Sequence, residues 1–159
     1  MVAELLQVWR THEAVNRMVL DAVPDESLGA IPLLKVGKPG RGRDVARVYG
    51  HCIDVRMSFM RKAEVAVAGG FKGFDKGYTP LRADIEDALA ASSAAVELRL
   101  TGAVERGEQI HKRGPHIFLG YLVCHESHHR GQVMLALKQN GYAMPDSVKW
   151  GIWERWFKE

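Results

Sequence analysis

Residues 124–132 read Cys-His-Glu-Ser-His-His-Arg-Gly-Gln, and this stretch carries the strongest structural signal in the chain. Residues four apart on an α-helix stack on one face, so His125 and His129 project side by side and can share a cation. Both lie on an apolar stripe formed by Phe118, Leu122, Val133 and Ala136. Burying two imidazoles costs free energy unless their nitrogens find partners, and a divalent metal provides them. The stretch therefore predicts a long helix that carries two inward-facing metal ligands.

The remainder of the chain shows the same helical pattern, with apolar residues at spacings of three and four. Helices are predicted over residues 2–22, 44–68, 79–100 and 116–139, with a short aromatic helical segment over 148–157. Pro24, Gly69-Gly70 and Gly114-Pro115 separate them, and no stretch shows the sustained alternation of a strand. These features predict an all-α protein, a single four-helix-bundle domain over residues 1–159 with a short C-terminal helical segment.

The composition is that of an ordinary globular protein, with 47% hydrophobic and 26% charged residues in a chain of 159. The formal net charge is only +3 and the charges are scattered, which argues against a dedicated nucleic-acid binder. No run approaches the roughly 18 apolar residues of a membrane span. The first ten residues lack the basic start of a signal peptide. We therefore expect a soluble cytoplasmic protein that binds neither nucleic acid nor membrane.

A third metal ligand is sought among the five remaining histidines of the seven in the chain. His51 lies at the edge of the apolar stripe of the second predicted helix, from which it can reach the pair. His12 on the first helix is the second candidate, whereas His111 and His116 flank Gly114-Pro115 and are expected to be exposed. Three histidines with an open coordination position are typical of catalytic zinc, whereas structural zinc is usually closed by four ligands.

Two cysteines, Cys52 and Cys124, each adjoin one of these histidines and therefore need a separate test as ligands. Adjacent residues of a helix point about 100° apart, so a cysteine tends to miss a metal bound by its neighbour. Two cysteines are also too few for a disulfide scaffold. We expect both to be small apolar packing residues.

The end of the last long helix, residues 128–132, reads His-His-Arg-Gly-Gln and resembles the histidine-rich motif of the DinB/YfiT-like superfamily. The first helix, with Trp9 and Asn16-Arg17, and the following residues 24–28 are also similar to the opening of that family. The resemblance implies a four-helix bundle with one metal ligand on the second helix and two on the last. The matching positions are His51, His125 and His129, and His128 is the adjacent histidine that does not bind the metal.

The resemblance also implies a chemistry. Members of the family are metal-dependent enzymes that act with a low-molecular-weight thiol, as S-transferases or thiol-dependent isomerases, with zinc or nickel as the metal. It thus implies a divalent metal ion, a thiol cosubstrate and a small-molecule substrate, and it assigns no catalytic residue beyond the ligands. Three neutral histidines leave a divalent cation its full charge, so a thiol bound there loses its proton readily. The same ion can instead activate water or polarise a carbonyl.

A zinc metallopeptidase is the main alternative, because His125-Glu126-Ser127-His128-His129 satisfies the H-E-x-x-H pattern. In that class the glutamate is the general base for a metal-bound water. The metzincin extension fails, because Gln132 and Leu135 occupy the positions that need glycine and histidine. In the thiol enzyme, Glu126 is expected to form an ion pair with Arg130, either at the helix surface or behind the metal ligands, so Glu126→Gln should keep the metal and most of the activity.

Two further alternatives stay open at this point. A di-iron carboxylate bundle needs Glu-x-x-His twice, and Glu126-x-x-His129 and Glu108-x-x-His111 match formally. The second of these falls in a predicted loop, which disfavours the di-iron interpretation. A non-catalytic metal-binding or stress-related bundle is the other alternative. A basic glycine-rich loop could also bind phosphate, and it contains Lys35, Lys38, Arg41, Arg43 and Arg47.

Aromatic side chains and one glycine complete the expectations. A C-terminal cluster consists of Trp150, Trp153, Trp156 and Phe157. We expect this cluster to dock the terminal helix onto the bundle, and a homodimer contact is the alternative. The loop aromatics Phe71, Phe74 and Tyr78 are expected to cover the metal pocket. Gly131 inside a helix suggests close approach of another helix, so Gly131→Leu should destabilise the bundle.

Overall fold

Five α-helices form most of the chain that the structure describes, which is residues 1–35, 38–40, 42–62 and 68–158 of a computed structural model. They are α1 (Val2–Asp21), α2 (Val45–Lys62), α3 (Arg82–Glu105), α4 (Pro115–Gln139) and α5 (Asp146–Glu154). The prediction of an all-α bundle with a short C-terminal helix is confirmed. The predicted end of the second helix, residues 63–67, and Arg41 of the basic loop lie outside the described residues.

The ends of α3 and α4 follow from local chemistry. Pro115 occupies the first turn of α4, where its missing N–H costs nothing. Helix α3 begins at Arg82, later than predicted, because the Leu81 amide donates a hydrogen bond to Asp84 Oδ2 over 2.8 Å and caps the helix there. It also continues past Gly102 and ends where Gly107 adopts a left-handed φ of 65°, a conformation that glycine accepts easily.

The connection from α1 to α2 contains the only strands in the described residues. Strand β1 (Leu33–Lys35) pairs antiparallel with β2 (Lys38–Pro39), with Leu33 opposite Pro39. A 3₁₀ turn over Asp25–Ser27 precedes them. The sequence did not predict this small ladder, because two or three residues are too few to show a strand's alternation.

The four long helices surround a common core. Trp9, Ile53, Leu89 and Leu122, one from each helix, are at most 1% exposed. Helix α2 packs against α3 and α4, and α1 packs against the same two helices. This arrangement places α2 beside α4, so a side chain at the edge of α2 can reach the histidine pair of α4. No helix within the described ranges is long and apolar enough to cross a membrane.

The terminal helix α5 docks on α1, as expected, but through a different face. Val148 is its buried residue, and Gly151 lies against the Met18 side chain. The expected aromatic contact is wrong, because Trp150, Trp153 and Phe157 are 67%, 66% and 89% exposed. Their spacing placed them on one face but did not say which face meets the bundle. A homodimer contact through these side chains stays a prediction.

Candidate metal centre

Three imidazoles meet where α2 faces α4. His51 comes from α2, and His125 and His129 come from successive turns of α4. Their ring centroids are 5.2 Å apart for His51–His125, 4.7 Å for His51–His129 and 4.5 Å for His125–His129. One ring nitrogen of each lies within 4.8 Å of those of the other two. The structure thus brings together the three residues that the sequence proposed as ligands; metal binding by them stays a prediction.

The cluster lies at the rim of the bundle: His129 is buried on the inward face of α4, as expected, whereas His125 is only half-buried, which corrects the expectation for that residue. His129 is 8% exposed, whereas His51 and His125 are half-buried. The fully buried face of α4 passes through Leu122, Glu126 and Val133 instead. The three imidazoles are therefore backed by the core on one side and open on the other, as a site that admits a substrate requires.

Burial keeps the three imidazoles in their neutral form. It is the largest cause that lowers the pKa of His51 to about 4, and the positive charge of Arg43 lowers it further. The pKa values of His125 and His129 are also lowered, chiefly by burial; the hydrogen bond to Gln132 partly opposes this for His129, and neighbouring positive charge lowers the pKa of both further. Because a histidine must be neutral to bind a metal, all three are ready ligands at neutral pH.

Gln132 orients the cluster from the next turn of α4. The His129 Nδ1–H donates to Gln132 Oε1 over 2.8 Å, which leaves His129 Nε2 free to bind a metal. The Gln132 Nε2 amide in turn donates to Nε2 of the exposed His128 over 3.0 Å. The His128 ring also lies beside the His129 ring, with centroids 5.1 Å apart, but His128 is not one of the three histidines whose ligand nitrogens come together. The last residue of the His-His-Arg-Gly-Gln stretch thus fixes the tautomer of a candidate ligand.

The donor set fits a divalent metal of the zinc type. Nδ1 of His125 is buried and has no hydrogen-bond partner among the described residues, as expected for an atom that awaits a ligand. Nitrogens that share a tetrahedral zinc ion lie about 3.3 Å apart, so small side-chain rotations would close the present separations. Neither cysteine belongs to the cluster. Cys52 is buried, as predicted, but Cys124 is exposed, so its predicted role in packing is wrong.

Glu126 lies in the core of the bundle, which excludes the surface placement of its expected ion pair. Its side chain is 2% exposed and accepts hydrogen bonds from Arg56 Nε and Nη2, each over 2.7 Å. The expected pairing with Arg130 is wrong, because Arg130 instead donates to Asn16 Oδ1 over 2.6 Å and to Ser127 Oγ over 3.0 Å. Residue 126 is one position from His125, and that rotation of about 100° turns it into the core.

The carboxylate of Glu126 is the centre of a buried polar cluster, which we call the Glu126 cluster; it consists of His12, Glu13, Asn16, Arg56 and Glu126. His12 Nε2 and Asn16 Nδ2 donate to Glu126 Oε2 over 3.0 and 2.7 Å, and Arg56 Nη2 donates to Glu13 Oε2 over 2.7 Å. His12, the second candidate ligand, is thus 0% exposed and outside the metal centre.

The electrostatics of this cluster bear on the peptidase alternative. Burial by itself would raise the pKa of Glu126, but the charge of Arg56 and its hydrogen bonds outweigh burial and hold that pKa well below its usual value. A carboxylate bound in this way is a poor proton acceptor. Both of its oxygens are also bound by Arg56, His12 and Asn16, so Glu126 lacks the free oxygen and the basicity of a peptidase general base.

Sequence reasoning did not identify Arg56 at all. The side chain is 0% exposed, and its Cζ lies 4.7 Å from the centroid of the Trp9 ring in a cation–π contact. The available signal was an arginine set among buried apolar residues of α2, next to Met57 and one turn from Ile53 and Met60. A charge on such a stripe requires a partner, and Glu126 on the facing helix supplies it.

Two cavities flank the three imidazoles. One, of about 380 Å³, is lined by His129 and by apolar residues that include Val45, Val48 and Val133. The other, of about 290 Å³, is polar and is lined by His51. The predicted placement of the loop aromatics at the metal pocket is confirmed for Phe74 and Tyr78, which line the second cavity. Phe71 instead packs on Phe74 with ring centroids 5.2 Å apart.

The other candidate residues are not members of the three-imidazole cluster. His111 and His116 are exposed, as predicted. Glu108 is exposed and bound to Arg99 and Arg106, so it is not an inward-facing di-iron ligand. Of the basic loop, Arg43 is exposed and Arg47 is paired with Asp44, whereas the side chains of Lys35 and Lys38 lie outside the described residues.

The expected close approach at Gly131 is wrong. The residue is exposed, and a Cβ built there would meet nothing within 4 Å in the described part of the chain. The glycine sits on the solvent side of α4, two positions after His129. The structure shows no packing reason for it.

The comparison with protein families agrees with the site. The family model of the DinB family matches residues 1–150, nearly the whole chain. The chain belongs to the DinB family. No curated protein and no solved structure matches it. Membership in the DinB family and the three-imidazole cluster are together compatible with metal binding.

Proposed function

We propose that this DinB-family protein is a metal-dependent thiol S-transferase that acts on a small electrophilic substrate. The observation that carries the proposal is the open cluster of three neutral imidazoles between two cavities. His51, His125 and His129 would hold one divalent ion, zinc or nickel, whose charge would favour the thiolate form of a low-molecular-weight thiol. A transferase needs room for two substrates beside one centre, and the two cavities provide it.

The residues of the chain divide the remaining work. Gln132 holds His129 in one tautomer, and burial keeps all three imidazoles unprotonated. In the reaction, the S–H bond of the thiol breaks and its proton leaves to solvent. The sulfur then forms a bond to the electrophilic carbon while the leaving group departs with its electron pair. No general base is assigned, because the nearest carboxylate along the helix, Glu126, is bound to Arg56.

This division of roles favours thiol transfer over peptide hydrolysis. A peptidase of the H-E-x-x-H class needs Glu126 at the metal-bound water. Glu126 is instead buried in its own cluster. We also propose the cytoplasm as the location, since the exposed free thiol of Cys124 suits a reducing compartment.

Metal content and thiol turnover, measured on the same preparations, test the proposal. Wild-type protein loaded with zinc or nickel should bind one ion per chain and conjugate a small thiol to 1-chloro-2,4-dinitrobenzene. His125→Ala should lose both properties. His116→Ala, which removes an exposed histidine from the same helix, is the matched control and should keep both. One bound ion with no turnover of any thiol would identify a non-catalytic metal-binding protein, and casein cleavage by the loaded protein would favour the peptidase.

A further inference from the structure

Arg43 lies between the two cavities that flank the candidate metal centre. Arg43 lines both cavities that flank the imidazoles, and no other described residue is common to the two linings. Its positive charge is close enough to contribute to the lowered pKa values of His51, His125 and His129. Arg43 therefore lies at the mouth of the centre, within reach of a molecule bound in either cavity.

The guanidinium of Arg43 is available to bind a ligand. Within the described ranges it has no ion-pair or hydrogen-bond partner, although it is exposed and charged. Arg47, one turn further along the same cavity wall, shows the contrast: its Nε donates to Asp44 Oδ2 over 2.9 Å. An arginine at a cavity mouth with five free donors is suited to bind a planar oxyanion through two parallel hydrogen bonds.

The polar cavity further selects the kind of anion. Asp54 and Asp75 line it together with Arg43 and Lys76. The two carboxylates offset the charges of Arg43 and Lys76, so the cavity has little excess positive charge with which to hold a doubly charged phosphate. Asp54 is moreover held in place, since the amide of Phe74 donates to its Oδ1 over 2.8 Å. The cavity therefore suits a small molecule with one carboxylate.

We propose that Arg43 binds a carboxylate of the thiol substrate in the polar cavity beside His51, so that the sulfur of that molecule reaches the three-imidazole centre. The proposal rests on the proposed function and narrows its substrate class to thiols that carry a carboxylate. Arg43 is a specificity-determining residue in this account and takes no part in the chemistry.

Isothermal titration calorimetry of the zinc-loaded protein tests the assignment with two probes. They are 3-mercaptopropionate and its uncharged methyl ester, and the measured quantity is the ratio of their dissociation constants. Wild type should prefer the anion. Arg43→Gln should reduce that preference about 10-fold, the value of one charge-assisted contact. Arg155→Gln makes the same charge change in the exposed C-terminal segment and should leave the ratio unchanged. Comparing ratios between proteins cancels the intrinsic difference between the two thiols.

The outcomes separate this proposal from the proposed function. A preference for the anion that survives in Arg43→Gln would overturn the role of Arg43. The methyl ester has no charge for Arg43 to bind, so its binding before and after zinc removal reports on thiol binding at the centre alone. Ester binding that does not depend on zinc would overturn the proposed function, whatever Arg43 does. Added salt should weaken the anion preference, because an exposed ion pair is screened, and a salt-independent preference would contradict the assignment.

Discussion

Two adjacent residues of α4 belong to two very different polar clusters. His125 joins the three imidazoles at the half-buried rim, where a buried ring nitrogen lacks a partner among the described residues. Glu126 belongs to the buried cluster, where Arg56, His12 and Asn16 all donate to its carboxylate. The Glu126 carboxylate is fully bound by side chains of the chain itself, although His12 Nδ1 in the same cluster has no hydrogen-bond partner among the described residues. The three imidazoles instead lie at a half-buried rim beside two cavities. We infer from this difference that the three histidines are placed to bind a ligand and that the Glu126 cluster contributes to stability.

The largest expected effect comes from breaking the buried ion pair. Arg56→Met should lower the free energy of unfolding by about 3–5 kcal/mol, because it leaves the Glu126 carboxylate buried without its cation. Urea unfolding of the metal-free protein measures this effect. Arg106→Met removes an exposed arginine whose ion pair is screened by solvent, so it should change stability far less. Equal effects for the two variants would contradict the division between the clusters.

Glu126→Gln tests the same cluster through its pH dependence. The folded pKa of Glu126 lies well below the unfolded value of about 4.3, so its ion pair stabilises the fold above pH 4.3 and is lost as pH falls toward the folded pKa. Wild type should therefore lose stability more steeply than the variant between about pH 5 and pH 3. At neutral pH the variant should be less stable by about 1–3 kcal/mol yet still bind zinc.

If the stability of wild type and of Glu126→Gln fell equally steeply with decreasing pH, Glu126 would not be in the buried ion pair with Arg56. Loss of zinc from a variant that remains folded would place it at the metal centre, contrary to this account.

Gln132→Ala sharpens the comparison from the rim side. It removes the acceptor that holds His129 in one tautomer, so zinc affinity should fall about 10–100-fold. The stability of the metal-free protein should barely change, because Gln132 is only partly buried. Competitive titration against a zinc chelator measures the affinity. His128→Ala leaves the His129–Gln132 contact intact and should change affinity much less; an equal loss in both variants would contradict the role of Gln132.

The smallest effect concerns Gly131, close to both clusters yet part of neither. An alanine there meets nothing within 4 Å and replaces a poor helix former, so Gly131→Ala should stabilise the protein by about 0.5–1 kcal/mol. Thermal unfolding measures this gain. A destabilised variant would instead indicate that another helix packs closely against Gly131, as the sequence suggested.

The two clusters also differ in how well the sequence predicts them. The bundle and the histidine set follow from helical spacing and from the His-His-Arg-Gly-Gln stretch, which are local patterns. The position of Glu126 does not, because its burial depends on Arg56, a residue 70 positions away in the chain. The predicted burial of the C-terminal aromatic side chains was wrong for a related reason. Helical spacing groups side chains on one face but does not say whether that face contacts the bundle or solvent.

X-ray absorption spectroscopy of the zinc-loaded protein tests the central claim most directly. The account predicts three imidazole nitrogens at about 2.0 Å and no sulfur neighbour, with the imidazole signal reduced in His51→Ala. A sulfur shell at about 2.3 Å would assign a cysteine to the metal and contradict the three-histidine centre. An unchanged spectrum for His51→Ala would place the metal away from the meeting point of α2 and α4.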